Sequence, residues 1–226
     1  MKIPSPRVHD LLEIDGLSLV ASLPSTPAPW LNDHLGRGST YVIVRRPAVV
    51  QNQIPVGVRG AQRSQRFSAF IPQALVRRVL KPFQLLPSAG NLSSACFPAL
   101  RSLVMLKARW AGLGFVWGPI GSVALELATG SPMVTAHSDL DVVLYAARRF
   151  TAGDAEAILA TTPGLPVRVD IRVETPFCGF SLSEFSRAHL GDILLRTPEG
   201  PVLGGDPWNR RLGSMAGTAQ PATGPS

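Results

Sequence analysis

Two aspartates separated by a single residue are the feature of this sequence best suited to chemistry. Asp139 and Asp141 lie in the segment Ser138-Asp-Leu-Asp-Val-Val-Leu144, whose apolar residues predict a strand. Because side chains alternate between the two faces of a strand, we expect both carboxylates on one face. Like charges so placed repel each other, and a hard divalent cation such as Mg²⁺ relieves that repulsion by binding their oxygens. The spacing therefore predicts a Mg²⁺ site at Asp139 and Asp141.

A third carboxylate follows in the segment Val167-Arg-Val-Asp-Ile-Arg-Val-Glu174. Its branched residues alternate, so they define a core face and Asp170 projects from the opposite face. If this strand neighbours the one that carries Asp141, Asp170 becomes a third metal ligand, and such a site stabilises in-line attack on phosphorus. Taken singly, Asp170 is more simply a solvated strand residue paired with Arg168 or Arg172.

Gly121 and Ser122 lie between a predicted strand and a predicted helix. Glycine allows a phosphate to approach the backbone closely, and the helix N-terminus offers N–H donors to it. The hydroxyl of Ser122 adds one more donor. A Gly-Ser pair alone is an ordinary helix start, but its position ahead of Asp139 and Asp141 predicts a triphosphate-binding turn beside the metal.

The elements that must position these residues alternate along the second half of the chain. The helices are predicted at 98–111, 123–127 and 152–160, and the strands at 115–117, 140–145 and 167–173. Helix–strand alternation of this kind indicates an α/β or α+β sheet domain.

The first half of the chain carries weaker secondary-structure patterns. Strands are predicted at 41–44 and 56–60, and a helix at 75–80. The spacing of Arg59, Arg63 and Arg66 would place them on one helix face.

These elements suggest three regions. Residues 1–86 form a small, basic, mixed α/β N-terminal domain, and residues 92–210 form the catalytic domain after a linker at 87–91. Residues 211–226, rich in Gly, Ala, Thr, Pro and Ser, are expected to be disordered. The predicted fold class is therefore α+β.

Charge is distributed unevenly along the 226 residues, whose net charge is +7. Residues 1–110 contain 14 Lys and Arg against 4 Asp and Glu, whereas residues 111–226 contain 8 against 11. A basic half attracts a polyanion such as a polyphosphate, a nucleic acid or an acidic protein, although it is also compatible with a merely soluble surface.

The remaining composition bears on location. The two cysteines, Cys96 and Cys178, are far apart and form no CxxC pair, which argues against a disulfide framework or a zinc site. No apolar run is long enough for a membrane span, and the N-terminus lacks the apolar core of a signal peptide. We therefore expect a cytoplasmic protein.

The order Gly-Ser, Asp-x-Asp and a later strand Asp resembles the polymerase-beta-like nucleotidyltransferase superfamily over about residues 98–175. Ser138 stands where that pattern often has a hydrophobic residue. The resemblance implies a polymerase-beta-like sheet domain in which Asp139, Asp141 and Asp170 are catalytic metal ligands.

A narrower resemblance covers roughly residues 7–208. The chain resembles the phosphoribosyl-dephospho-CoA transferases of bacterial malonate decarboxylase, its holo-acyl-carrier-protein synthases. The motifs that carry this resemblance are Arg7-x-His9-Asp10, Val44-Arg45-Arg46, Val56-Gly-Val-Arg-Gly60-x-x-Arg63-x-x-Arg66, Trp117-Gly-Pro-Ile-Gly-Ser122, Ser138-Asp-Leu-Asp141, Glu174-Thr-Pro176, Ser181-x-x-Glu184 and Asp206-Pro-Trp208.

That resemblance implies a reaction and a partner. The donor would be 2′-(5″-triphosphoribosyl)-3′-dephospho-CoA, the acceptor a serine of the apo acyl carrier protein of malonate decarboxylase, and the leaving group pyrophosphate. Asp170 would complete the metal shell or accept the serine proton. Arg59, Arg63 and Arg66 would hold the donor's phosphates or dock the acidic carrier protein, unless they are simply a solvated face.

Two other functions remain open at this stage. Another nucleotidyltransferase of the same fold, acting on RNA, a small molecule or a protein, would carry the same Gly-Ser and Asp-x-Asp motifs. A non-catalytic basic adaptor would bind nucleic acid or an acidic partner and would not need Asp139. The chain has no helix-turn-helix, zinc finger or aromatic RNA platform, so nucleic acid is not the expected partner.

Overall fold

The computed structural model describes residues 5–23, 28–36, 38–47, 52–60, 62, 64–87, 97–187 and 191–209. The chain forms two sheets with helices packed on them, which confirms the α+β prediction. The predicted disordered tail at 211–226, Arg63 and most of the predicted linker at 87–91 lie outside the described residues.

The first sheet is antiparallel and has the strand order β4-β3-β2-β1-β5. Its strands are β1 (Leu11–Asp15), β2 (Ser39–Val44), β3 (Gln53–Arg59), β4 (Arg66–Pro72) and β5 (Val76–Leu80). Two short helices, α1 (Gly16–Ser22) and α2 (Pro29–Leu35), connect β1 to β2. Their buried leucines, Leu19, Leu31 and Leu35, join the strand residues Val42 and Val56 in one core.

The second sheet has the strand order β11-β10-β9-β8-β7-β6. Its strands are β6 (Val116–Pro119), β7 (Leu140–Tyr145), β8 (Val169–Glu174), β9 (Gly179–Ser181), β10 (Ile193–Thr197) and β11 (Gly200–Gly204). Its helices are α3 (Pro98–Arg109), α4 (Gly121–Thr129), α5 (Ala152–Leu159) and α6 (Leu182–Phe185). Strands β7 and β8 are parallel, and the crossover that a parallel pair requires contains α5.

Alternation along β7 and β8 places the shared apolar core on one face and the carboxylates, together with the buried Val143, on the other. Leu140, Val142 and Leu144 are fully buried in a core that they share with Ile171 and Val173 and with residues of α3, α5 and α6. The residues between them in the sequence therefore point to the opposite face of the sheet. Among the helices that the structure describes, none is long and apolar enough to cross a bilayer.

Helix α4 links the two sheets. Ala124 and Leu125 of this helix form a buried cluster with Leu11 of β1 and Leu80 of β5. Just before the helix, Gly118 lies against the backbone of Pro82, so closely that a Cβ atom there would clash. The start of α4 is therefore fixed against both halves of the chain.

The helix predicted at 75–80 is wrong. Residues Gln73–Leu75 form one 3-10 turn and Val76–Leu80 forms β5, at the edge of the first sheet. The pairing of β5 with β1 shifts register between Glu13 and Ile14, where Arg77 is skipped. The extra residue puts both Val76 and Leu80 on the buried side. A bulged strand thus imitates the apolar spacing of a helix.

The helix face predicted for Arg59, Arg63 and Arg66 is also wrong. Arg59 ends β3 and Arg66 begins β4, and the two residues lie opposite each other in the antiparallel hairpin. Gly60, Gln62, Ser64 and Gln65, the described residues of the connection between the two strands, are not helical. Arg59 and Arg66 nevertheless lie together, since the hairpin register places them side by side.

Candidate active site

The parallel pair of β7 and β8 places two of the predicted carboxylates next to each other. Asp141 and Asp170 are partners in the register of these strands, which lie about 4.8 Å apart in such a sheet. Asp139 precedes β7 by one residue and is exposed. All three aspartates line one cavity of about 540 Å³, here named the acidic cavity. The expectation that the two strands are neighbours is therefore met.

The opposite wall of this cavity comes from the first sheet. The β3–β4 hairpin contributes Arg59, Gly60, Gln62, Gln65 and Arg66, and the second half of the chain contributes Ser122, Met133, Thr135, His137, Ser138 and Arg168 in addition to the aspartates. A cationic hairpin end thus faces three carboxylates across a space large enough for a small ligand. Such a pairing of charges suits a polyanion that is bound together with a cation.

Gly121, the first residue of α4, touches the carboxylate of Asp141. Its φ is 67°, in the left-handed region that favours glycine. A Cβ atom added there would lie 2.9 Å from Asp141 Oδ2. The N–H of Ile120, one residue earlier, donates to the carbonyl oxygen of Asp141 over 2.9 Å. The turn before α4 is therefore held directly against Asp141 through both backbone and side-chain contacts. Ser122, the next residue of α4, lines the cavity.

Burial raises the pKa of Asp141 above its ordinary value, and the neighbouring charge of Asp170 raises it further, with a smaller contribution from Asp139. The positive charges of Arg172 and Arg59 act in the opposite direction without cancelling the effect. Arg172 is committed elsewhere, because its Nη2 donates to Asp170 Oδ2 over 3.0 Å. Asp141 thus carries a charge that the described residues do not fully compensate.

These carboxylates fit a Mg²⁺ ion shared with a substrate better than they fit a closed protein site. In the described part of the chain, no group of three or more His, Cys, Asp or Glu side chains is arranged to hold a metal. Asp170 is held by Arg172, as expected for a paired strand residue. Mg²⁺ is commonly bound by one or two carboxylates together with substrate phosphates. Asp139 and Asp141 supply donors of that kind.

The structure brings together almost all of the residues that the sequence assigned to catalysis, metal binding and substrate binding. Asp139, Asp141, Asp170, Ser122, Arg59 and Arg66 line the same cavity, and Gly121 contacts Asp141. Arg63 cannot be placed, since it lies outside the described residues. Gln62, Gln65 and Thr135 also line the cavity but carry no motif. Their only sequence signal is their position in connections next to predicted site residues.

A second group of motif residues meets at Glu174, the last residue of β8. His9 Nε2 lies 2.9 Å from Glu174 Oε1, and Arg46 Nη2 donates to the same oxygen. Burial alone would raise the pKa of Glu174, but the hydrogen bond with His9 and the charge of Arg46 hold it below its usual value. His9 adopts φ 73°, unusual for a side-chain-bearing residue. This cluster ties the first half of the chain to β8.

Other motif residues have structural contacts. Asp10 is fully buried, and its Oδ2 accepts hydrogen bonds from Lys81 Nζ and from the N–H of Arg7, each over 2.6 Å. Trp208 packs against Phe150, Phe180 and Phe185, while its Nε1 donates to the carbonyl of Ala146 over 3.0 Å. These residues support the fold around the site and do not line the acidic cavity.

Two protein-family models match this chain. The family model described as phosphoribosyl-dephospho-CoA transferase MdcG, C-terminal domain, matches residues 86–207, and the one for the N-terminal domain of the same protein matches residues 7–82. No solved structure matches the chain.

Curated relatives carry the same description. A phosphoribosyl-dephospho-CoA transferase from Azotobacter vinelandii is 36% identical over 90% of this chain and 94% of its own length. Relatives of that name from Pseudomonas putida and Klebsiella pneumoniae are 35% and 33% identical, over 90% and 91% of this chain and 96% and 98% of their own lengths.

The chain thus belongs to a class of group-transferring enzymes. Within that class, the chain belongs to the phosphoribosyl-dephospho-CoA transferase family.

Proposed function

We propose that this chain transfers the phosphoribosyl-dephospho-CoA group from 2′-(5″-triphosphoribosyl)-3′-dephospho-CoA to a serine of an apo acyl carrier protein, that of malonate decarboxylase. The observation that carries the proposal is the cavity in which Asp139, Asp141 and Asp170 face Arg59 and Arg66. A triphosphate and a divalent cation together match both walls of that cavity. The names of the relatives supply the donor's chemistry.

The chemical step is a displacement at the α-phosphorus of the triphosphate. The serine oxygen forms a new bond to that phosphorus, and the bond from the phosphorus to the bridging oxygen breaks. Pyrophosphate leaves with the bonding electrons, so a phosphodiester links the carrier serine to the ribose. Mg²⁺, when bound by Asp139 and Asp141, would supply the positive charge that offsets the charge developing on the leaving group.

The chain's own residues would orient the two reactants. Gly121 allows the triphosphate to approach the backbone at the start of α4, and Ser122 offers a hydroxyl donor. Arg59 and Arg66 line the cavity itself, which favours a role in holding phosphates over one in docking the carrier protein. Asp170, which Arg172 holds beside Asp141, would accept the serine proton.

The proposal also assigns the two regions. Residues 1–86 would supply the cationic wall and residues 92–210 the carboxylates and the Gly-Ser turn, in an enzyme acting in the cytoplasm. The one buried thiol that the structure describes, Cys178, is free, as this location would allow.

Mass spectrometry of the carrier protein tests the proposal directly. Purified enzyme, donor, Mg²⁺ and apo carrier protein should give a serine adduct with the mass of the phosphoribosyl-dephospho-CoA group, and one pyrophosphate for each adduct. ATP and CTP serve as alternative donors. Pyrophosphate release from either of them, without an adduct from the CoA-derived donor, would favour another nucleotidyltransferase. Tight, salt-sensitive binding of generic RNA without any transfer would favour an adaptor.

A further inference from the structure

A second cavity lies at the other end of the strand pair that carries Asp141 and Asp170. Its volume is about 460 Å³, and Tyr145 and Glu174 border it. These two residues are register partners, as Asp141 and Asp170 are. Each residue of the pair Tyr145 and Glu174 lies four positions after its counterpart in the pair Asp141 and Asp170, a distance of about 13 Å at roughly 3.3 Å per residue. Because residues four apart share a face of a strand, both cavities border the same face of β7 and β8.

The opposite walls of the two cavities are also continuous. Pro55 of β3 lines the second cavity, and Arg59 of the same strand lines the acidic cavity. These residues are again four apart, so the spacing on this wall equals the spacing on the other. Gly57 lies between them on the same face, and the side chain of Arg45 packs against it, with Cδ 3.4 Å from the position of an added Cβ atom. The two cavities therefore lie along the same pair of facing strands, with the buried Val143 and the side chain of Arg45 between them.

The wall of the second cavity differs in chemistry from that of the first. It is largely apolar and includes Val8, Val44, Pro55, Pro176, Phe177 and Pro198. The lining contains one carboxylate, that of Glu174, which His9 and Arg46 already neutralise. Against this apolar part of the wall, a charged group would lose hydration without gaining a partner. That part of the cavity consequently suits a neutral, mostly apolar chain.

Cationic side chains border the apolar wall. Arg7 and Arg45 both line the cavity and are exposed, and neither forms an ion pair with another residue in the described ranges. Guanidinium groups so placed bind phosphate oxygens well. The matching ligand is therefore a neutral chain that carries an anionic group at one end.

We propose that this second cavity binds the pantetheine arm of the donor, with the adjoining diphosphate beside Arg7 and Arg45. The inference rests on the proposed function, because that function supplies a dephospho-CoA donor. In such a donor the triphosphate and the pantetheine arm are at opposite ends, separated by two riboses and a diphosphate. The acidic cavity would hold the reacting end, and the apolar cavity the neutral end, of one extended molecule.

Binding of donor fragments to the full-length chain tests this assignment by calorimetry. Dephospho-CoA contains the pantetheine arm, the diphosphate and adenosine, whereas ADP lacks the arm. We expect dephospho-CoA to bind at least about tenfold more tightly than ADP, a difference of roughly 1.4 kcal/mol. Asp141→Asn should leave this binding unchanged, since fragments without a triphosphate do not need the acidic cavity.

A substitution that fills the second cavity provides the sharper measurement. Ala147 is exposed and lines this cavity, so Ala147→Trp adds bulk there without disturbing a core. It should weaken dephospho-CoA binding about tenfold or more. ADP binding should change by less than about twofold. The matched control is Ala157→Trp on the exposed side of α5, away from both cavities. Pro176→Trp is a second filling variant, for use if Ala147→Trp does not fold.

Each failure has its own meaning. Unchanged dephospho-CoA binding in a folded filling variant overturns the assignment, and so does equal weakening of ADP, which would put adenosine in the cavity. Dephospho-CoA that binds no more tightly than ADP has the same consequence. The proposed function fails differently, through the absence of a carrier-protein adduct when wild type is given donor and Mg²⁺.

Discussion

The two ends of the β7–β8 pair show that burial does not decide the ionisation of a carboxylate here. Glu174 is only 8% exposed, yet its pKa is lowered because His9 and Arg46 both contact Oε1. Asp141 is less buried, yet its pKa is raised by burial together with the charge of Asp170. The difference lies in the partners that each carboxylate has.

That difference separates a structural carboxylate from one suited to chemistry. The contacts of Glu174 join residues from three segments, and its charge is already compensated when no ligand is bound. Asp141 touches Gly121 and faces Asp170, and the charges of Arg172 and Arg59 do not cancel the effect of burial and of Asp170 on its pKa. Uncompensated ionisable groups in a cleft are candidates for function, whereas compensated ones stabilise the fold.

The largest expected effect on activity comes from removing the charge of Asp141. Asp141→Asn should lower the rate of transfer to the carrier protein by at least about 100-fold, the size of effect seen when one electrostatic contact to a transition state is lost. The fold should persist, because the substitution replaces a buried charge with a neutral group of the same shape. A transfer assay combined with thermal unfolding measures both.

The matched control is Asp33→Asn on the exposed surface of α2. It makes the same chemical change outside both cavities and should keep full activity. Near-normal activity in Asp141→Asn would remove the acidic cavity from the mechanism.

The second prediction tests whether the contact between Gly121 and Asp141 matters beyond backbone strain. Gly121→Ala places a methyl group 2.9 Å from Asp141 Oδ2, so the carboxylate must move. Gly130, at the other end of α4, has nearly the same φ, 68° against 67°, but open space around it. Both alanine variants should lose about 1 kcal/mol of stability from the left-handed backbone.

Only Gly121→Ala should also lose activity, by roughly 10- to 100-fold in kcat, since misplacement by about 1 Å can cost that much. The comparison of kcat and chemical denaturation for the two variants separates position from strain. Equal activities would mean that Asp141 tolerates the displacement and that the turn is merely structural.

The sequence predicted the second sheet far better than the first. The segment 140–145 is a strand at the predicted bounds. Every second residue of this segment packs into one apolar core, so the pattern of apolar residues shows the strand directly. In the first sheet, the extra residue at Arg77 produces helix-like spacing in β5, and the predicted arginine helix is a hairpin. Local patterns cannot reveal a bulge, because it arises from pairing with a distant strand.

The candidate site could be predicted only in part for a related reason. Asp139, Asp141 and Asp170 follow from alternation along two strands, which is local information. The contribution of Gln62 and Gln65 depends on how the β3–β4 hairpin packs against the second sheet, and no local pattern carries that. The convergence of His9 and Arg46 on Glu174 is likewise a contact between distant segments.

The third prediction concerns Glu174, the carboxylate whose charge is balanced by His9 and Arg46. Glu174→Gln removes the charge that Arg46 and His9 surround and should cost about 2 kcal/mol of stability at pH 7. The folded pKa of Glu174 is depressed, so its contribution is present above the unfolded value, about 4.3, and is lost as pH falls through the folded pKa. Urea unfolding of both proteins should therefore show a difference that shrinks below about pH 4.

Glu174→Gln also tests whether the cluster of Glu174, His9 and Arg46 contributes to catalysis. Its kcat should fall much less than that of Asp141→Asn, because Glu174 lies about 13 Å along the strand from the reacting end. A loss of kcat as large as that of Asp141→Asn, with stability intact, would contradict a structural role for Glu174.

The smallest expected effect is the pH dependence that Asp141 gives to the metal-free protein. The folded pKa of Asp141 is raised, so the stability associated with its neutral form is complete below the unfolded value, about pH 4, and is lost as pH rises through the folded pKa. In chelator, wild type should therefore lose Tm relative to Asp141→Asn as pH rises from 4 to 7. A change of about 1 kcal/mol corresponds to roughly 2–4 °C in a chain of this size, which scanning calorimetry resolves.

At pH 7, Mg²⁺ with inorganic triphosphate should restore Tm in wild type and leave Asp141→Asn unchanged, because ligands that bind only the folded site stabilise it. Equal responses in both proteins would place the cation away from Asp141.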